Sequence, residues 1–184
     1  MIIMNPKDII EKFYKKDSEL YRILVTHSES VAKYATKIVD KHPELGADRR
    51  LVFEGAMLHD IGIIKTSAPA IHCSGKYDYI CHGYLGREML ESLGLNELAF
   101  FCEHHTGAGM TKEEIELREL PLPHRDMLPT TIEEEIVCYA DKFFSKTKNL
   151  REAKTFEKAL ASIEKHGEEP KARFLAMHER FKIE

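Results

Sequence analysis

The sequence lacks the features that mark several protein classes. It has four cysteines, Cys73, Cys81, Cys102 and Cys138, and none forms a C-x-x-C pair. A domain of this size does not need disulfide staples, so reduced thiols that pack as small apolar residues are expected. No stretch approaches the ~20 apolar residues that cross a bilayer. The first residues, interrupted by Asp8, Glu11 and Lys12, carry no basic-then-apolar leader. A soluble, cytoplasmic protein without a membrane partner is the expectation. Neither sign of charge dominates, with 32% charged residues and a net charge of −4. That balance excludes a large non-specific nucleic-acid surface, which needs an excess of Lys and Arg. It leaves room for a local basic pocket. Repeats, low-complexity tracts and convincing strand alternation are missing too.

What is present is helical periodicity, and the class it predicts is all-α. Asn5-Pro6 has the form of an N-cap followed by proline at the first helical position, opening a helix to about Lys16. A second helix spans about Ser18 to Lys41, with the apolar stripe Leu20, Ile23, Leu24, Val31 and Ile38. A third carries Leu51, Val52, Ala56 and Met57 down to His59, where Gly62 breaks it. The stretch Ile63 to Ile80 reads as a long irregular loop. Further helices are expected over about 82–93, 96–105, 111–120, 131–146, 155–166 and 170–183. Those starting near Thr111 and Thr131 carry capping-box sequences. A chain of 184 residues with 43% hydrophobic residues supports one core. Residues 1–184 therefore read as a single domain of about seven to nine helices. Its motifs lie in 18–147, and C-terminal helices over 155–183 pack on it.

Several metal-ligand side chains sit in these apolar helices: His27, His59-Asp60, His82, His104-His105 and Asp141. Imidazole and carboxylate suit iron, manganese or zinc. His27 falls inside the second helix's apolar stripe. His59 and Asp60 are ~100° apart on a helix, so they share a centre only near a helix end, which Gly62 supplies, or across a bridging metal. A carboxylate at a helix C-terminus opposes the dipole, so Asp60 needs another reason to be there. Asp141 lies between Val137 and Phe144, and no lysine stands at helical spacing on that face. An unpaired buried carboxylate costs several kcal/mol, and a metal ion is an economical partner.

In this order, His27, His59-Asp60 and Asp141 resemble the H…HD…D signature of the HD superfamily of metal-dependent phosphohydrolases. Leu58-His-Asp-Ile-Gly62 matches the HDIG form of its central motif. The resemblance implies an HD-type helical bundle. His82 and the His104-His105 doublet occupy the places where binuclear members carry extra histidines, which implies two divalent ions such as Fe, Mn, Zn, Ni or Co. It further implies that Asp60 bridges the ions and orients a metal-bridging hydroxide. His27, His59 and Asp141 would then hold one ion, and His82 and His104 the other. His104 is the first choice within the doublet, with His105 a second ligand or a proton donor. The implied activity is hydrolysis of a phosphoester or phosphoanhydride of a small, nucleotide-like substrate. The Gly-Tyr-Pro element of cyclic-di-GMP-cleaving members is missing after the doublet.

Lys65, at the start of the long loop, is the favoured catalytic and anion-binding lysine. His72, Arg87 and Lys142 are further substrate-binding candidates. Two other readings compete. Some HD-fold proteins resemble mixed-valent diiron oxygenases, and a degenerate HD module could serve as a non-catalytic metal-binding scaffold. Sequence leaves the oligomeric state open.

Overall fold

The computed structural model describes residues 5–183. Among these are nine α-helices and one minimal hairpin, so the class is all-α. Helix α1 (Pro6–Ile10) is capped by Asn5, whose side chain accepts from the Lys7 amide at 3.0 Å. It ends well before Lys16. The chain turns after Ile10 and buries Tyr14. The Tyr14 hydroxyl donates to the Ile61 carbonyl at 2.6 Å and accepts from the Ile64 amide at 3.1 Å. The N-terminal segment thereby pins the turn that follows His59-Asp60.

Helix α2 (Glu19–Lys41) starts at the Ser18 cap and buries Ile23, Leu24, His27, Val31 and Ile38. Helix α3 (Arg49–Leu58), capped by Asp48, packs along it. The stretch after Asp60 is more regular than its sequence suggests. A 3₁₀ turn, Ile61–Lys65, leads into an antiparallel hairpin of β1 (Ser67–Ala68) and β2 (Cys73–Ser74). The Lys65 carbonyl accepts from the amides of Lys76 and Tyr77 at 3.1 and 3.2 Å, closing the loop on itself. Strands of two residues are too short to show alternation, which is why none was legible.

Helices α4 (His82–Glu91) and α5 (Asn96–His104) pack on each other and on the Ile61–Lys65 turn. Glycine makes this approach possible. A Cβ on Gly62 would lie 2.1 Å from the His82 carbonyl oxygen and 2.5 Å from the Gly86 nitrogen. A Cβ on Gly83 would lie 2.9 Å from the Cys102 carbonyl oxygen. The glycine of the HDIG motif is therefore the surface on which α4 lands.

Helix α6 (Lys112–Leu117) has the predicted reciprocal capping box between Thr111 and Glu114. Helix α7 (Ile132–Asp141) begins at Thr131, but only half of its box forms, because the Glu134 carboxylate turns to the Thr130 amide and to His104. It also stops at Asp141, short of the expected Lys146. The Phe143 and Phe144 amides bond carbonyls three residues back, at 3.2 and 3.1 Å, and the chain tightens out of the α-helix. Helices α8 (Phe156–Glu164) and α9 (Glu168–Phe181) close the fold, with Phe174 and Phe181 against Tyr139 in the core shared with α2, α3 and α7. Among the described residues, no helix is long and apolar enough to cross a membrane.

Candidate metal centre

Five helix segments deliver their polar side chains to one place: α2 gives His27, the end of α3 gives His59 and Asp60, the start of α4 gives His82, the end of α5 gives His105, and the end of α7 gives Asp141. All six side chains are buried. They form two groups joined at Asp60. His27, His59, Asp60 and Asp141 make one, and Asp60, His82 and His105 make the other. The two Asp60 oxygens divide between them. Oδ2 lies 3.2 Å from both His27 Nε2 and His59 Nε2, while Oδ1 lies 3.4 Å from His82 Nε2 and 3.3 Å from His105 Nε2. Asp141 Oδ1 lies 3.0 Å from His27 Nε2 and 3.3 Å from His59 Nε2.

These spacings fit metal binding. Donors held at ~2.1 Å from one ion and at right angles stand ~3 Å apart. Hydrogen bonding among the donors is incomplete in a telling way. His59 Nε2 and Asp60 Oδ1 are buried, close to their neighbours, and yet make no hydrogen bond of acceptable angle, and Asp60 Oδ2 has only the Lys146 ammonium at 2.7 Å. Buried polar atoms left this way are costly. Their convergence is the arrangement a cation would satisfy.

The outer nitrogens fix the rings. Nδ1 of His59 faces the Ala56 carbonyl at 2.6 Å, Nδ1 of His82 the Tyr79 carbonyl at 2.6 Å, and Nδ1 of His105 the Cys102 carbonyl at 2.7 Å. A carbonyl only accepts, so each Nδ1 carries a proton and Nε2 is the nitrogen turned inward, a lone-pair donor already in neutral His82 and His105 and in His59 once it gives up its second proton. Tyr79 also stacks on His82, with ring centroids 4.7 Å apart.

The charge balance is distinctive. Lys146 Nζ lies 2.7 Å from Asp60 Oδ2, and Lys142 Nζ lies 2.6 Å from Asp141 Oδ2 and 2.8 Å from the His105 carbonyl. Burial opposes charge on both aspartates. Lys146 and His59 beside Asp60, and Lys142 and Lys146 beside Asp141, still hold both carboxyls well below the usual range. Burial also opposes charge on His59, but Asp60 and Asp141 outweigh it and hold its pKa up to about 9. Burial, only partly offset by Asp60, pushes His82 down to about 3 and lowers His105 as well. The second group is thus a pair of neutral imidazoles sharing a carboxylate.

Several expectations need correcting. His104, the first choice of the doublet, faces away from the other donors: its Nδ1 bonds Glu134 Oε2 at 2.7 Å and its ring stacks on Phe100. His105 takes the inward position, 3.1 Å from His82 Nε2. The cause is helical. Residues one apart differ by ~100° in direction, and α5 ends at His104, so only one ring can face the centre. Asp141 does have a lysine partner, because the chain leaves the α-helix after it and Lys142 folds back.

Arg87 is engaged elsewhere, bonding Glu91 at 2.7 Å and also Glu103, with its guanidinium over the Phe100 ring. Lys65 is exposed and contributes its backbone to the loop. His72 is exposed, in a left-handed conformation with φ 62°, between the two strands of the hairpin. Lys142 alone among the four anion-binding candidates reaches the centre.

Sequence reasoning missed Lys146, Lys154 and Tyr79. Beside Asp141, a cavity of about 220 Å³ is lined by Lys142, Lys146, Lys154, Ser162 and His166, among others. Lys154 follows α7 and Ser162 and His166 come from α8 and the turn after it, so the C-terminal segment walls the centre. The one available signal was the run of lysines after Asp141, and its direction depends on where α7 ends.

An all-α fold that gathers six His and Asp side chains into two joined, buried groups defines a candidate metal-binding domain. The chain belongs to the HD domain family, whose model matches residues 24–145. An uncharacterized protein of Methanocaldococcus jannaschii is 40% identical over 143 residues, covering 74% of this chain and 77% of that one. A protein of Picrophilus torridus named tRNA (cytidine(56)-2'-O)-methyltransferase is 40% identical over 124 residues, 67% of this chain and 32% of that one. One of the same name from Thermoplasma volcanium is 31% identical over 181 residues, 98% of this chain and 47% of that one. The chain thus spans only about a third to a half of the two methyltransferase-named relatives. No solved structure matches it.

Proposed function

We propose that this protein is a metal-dependent phosphohydrolase that cleaves a phosphoester or phosphoanhydride of a nucleotide-like substrate at two divalent ions. The carrying observation is that the small cavity walled by Lys142, Lys146 and Lys154 is also lined by Asp141 of the first His/Asp group, which Asp60 joins to the second. His27, His59, Asp60 and Asp141 would hold one ion, and Asp60, His82 and His105 the other. Bound there, divalent ions lower the pKa of water and neutralise charge on phosphate oxygens.

The chain's own residues do the rest. Asp60, buried and ionised, serves both groups through its two oxygens. His82 and His105 stay neutral because burial disfavours their charge. Lys142 and Lys154 set a positive wall where a phosphoryl group enters. Lys146 sits on the Asp60 oxygen that faces His27 and His59 and also lines the cavity; a cation held at that oxygen would compete with its ammonium, which would then be available to a phosphate in the cavity. Helices α8 and α9 act with the motif region as one unit, since α8 lines the cavity and α9 packs on α7.

The names of the Picrophilus and Thermoplasma relatives bring RNA into view, and a nucleotide or an RNA terminus is the proposed source of the phosphate. No specific observation favours the oxygenase reading, and the converging unsatisfied donors oppose an abandoned scaffold. A panel of nucleotides and phosphoesters, assayed with Mn, Fe, Co and Ni, tests the proposal. Phosphate or nucleoside release that depends on metal supports it. Oxygen consumption with no hydrolysis across the panel would transfer support to the oxygenase.

A further inference from the structure

The cavity beside the centre is too small for a whole nucleotide. Sites that enclose drug-sized ligands are typically ~300–1,000 Å³, and this one is about 220 Å³. A phosphate group fits within it, and the remainder of a larger substrate would lie outside. Phe144 lines this cavity and also a second one of about 370 Å³, whose wall includes Lys33, Tyr34, Lys37 and Arg151. The two cavities therefore meet at one aromatic side chain.

The second cavity has the character of a nucleic-acid track. Lys33 and Lys37 are one helical turn apart on α2, both exposed, and neither pairs with a carboxylate among the described residues. Lys154, half-buried in the first cavity, has no carboxylate partner there either. Glu29, the acidic residue of the second cavity, is already engaged by Lys7 at 2.8 Å and Arg151 at 3.6 Å. Tyr34 and Phe144 line the second cavity together with Lys33 and Lys37. Tyr34 is half-buried, stacked on Phe143 with centroids 5.0 Å apart and edge-on to Phe144 at 5.9 Å. Cations along a groove that aromatic rings also line suit a single strand, whose phosphates pair with the cations and whose bases stack. A net charge of −4 is no obstacle, because the track is local.

We propose that the metal centre acts on the phosphorylated end of a single-stranded polynucleotide, whose chain leaves over Phe144 and lies along Lys33 and Lys37. The terminal phosphate sits at the two His/Asp groups, Lys154 meets the junction, and Tyr34 offers its ring to a base. This rests on the phosphohydrolase reading for the terminal phosphate alone.

Binding tests it without requiring turnover. Metal-loaded protein is titrated with fluorescent tetranucleotides ending in a slowly hydrolysed phosphorothioate, in ribo and deoxyribo forms, with the matching mononucleotide as competitor. The tetranucleotide is expected to bind at least tenfold tighter than the mononucleotide. In Lys33→Gln/Lys37→Gln that advantage falls severalfold, and the salt slope of log K drops by about 0.7 for each phosphate that no longer meets a cation. Melting temperature and metal content report whether this variant keeps its fold. Lys154→Gln, the second variant, weakens both ligands. Equal affinity for the two ligands, or an unaltered salt slope in the double variant, overturns the proposal. A duplex end that binds as tightly as the single strand overturns it too. Strong tetranucleotide binding with no cleavage of any ester would leave the track standing and refute the hydrolase. Cleavage without length preference would do the reverse.

Discussion

His104 Nδ1 lies 2.7 Å from Glu134 Oε2, and this bond separates two adjacent histidines into different jobs. Glu134 is buried at the start of α7 and also accepts from the Thr130 amide at 2.9 Å. His104 thereby ties the end of α5 to α7. The tie orients α5 so that His105 points to His82 and Asp60.

The consequence is separable by substitution. His105→Ala should lower metal content by about one ion per chain, because the second group loses a ligand. His104→Ala should keep the metal and lose stability, by about 1–3 kcal/mol, since Glu134 is left buried without its partner. Elemental analysis paired with thermal unfolding distinguishes the two. Loss of metal from the His104 variant alone would contradict the assignment.

Gly62 controls the second group through backbone packing. A Cβ there would meet the His82 carbonyl oxygen at 2.1 Å, which no rotamer can relieve. Gly62→Ala should push α4 away from the Ile61–Lys65 turn and cost about 1–3 kcal/mol or more. His82 moves with α4, so the variant should retain the group around His27 and bind fewer ions than the native chain. Denaturant unfolding and metal stoichiometry measure both effects.

Lys146 sets up opposing effects. Its ammonium stands 2.7 Å from an oxygen proposed to bind metal. In Lys146→Met, metal affinity at the first group should rise, on the order of tenfold, because a competing positive charge is gone. Turnover should fall at the same time, because the phosphate is deprived of a cation. The metal-free form of this variant should melt lower than native, with Asp60 left unbalanced. Calorimetric titration with Mn, run beside the phosphatase assay, shows whether the two quantities part.

Protons supply a further prediction. His59 is held charged up to about pH 9 in the metal-free arrangement, so metal binding must expel its proton. Titrations of metal into stripped protein at pH 7.5, in buffers of different ionisation enthalpy, should report proton release. The same shifts shape stability. His59, raised above its unfolded value of about 6.5, stabilises fully below that pH and loses its contribution as pH climbs toward 9. His82, depressed to about 3, contributes above about 6.5 and loses its contribution as pH falls toward 3. Metal-stripped protein should therefore be most stable near pH 6–7, as read by melting temperature against pH.

The helices were legible in the sequence because their apolar periodicity and caps are local. Asn5, Ser18, Thr111 and Thr131 all cap where their residue types suggest. That His27, His59, Asp60, His82 and Asp141 come together was legible through their order along the chain and their apolar settings. The choice between His104 and His105 was not, since it depends on Glu134, thirty residues away and diverted from its own capping box. Lys146 and Lys154 were hidden for a similar reason: helix ends set by tertiary bonding decide where a lysine reaches. Lys65, His72 and Arg87 drew attention by proximity to motifs, and proximity in sequence does not fix direction.

The most direct test of the central claim compares phosphate release by the native chain with that by Asp60→Asn. Both proteins are stripped, reloaded with Mn and given the same nucleotide panel, with circular dichroism recorded for each. Asp60 carries both groups, so the account predicts metal-dependent release by the native chain and none by the variant, at unchanged helix content. Equal release by the two proteins, or release indifferent to metal, would contradict it.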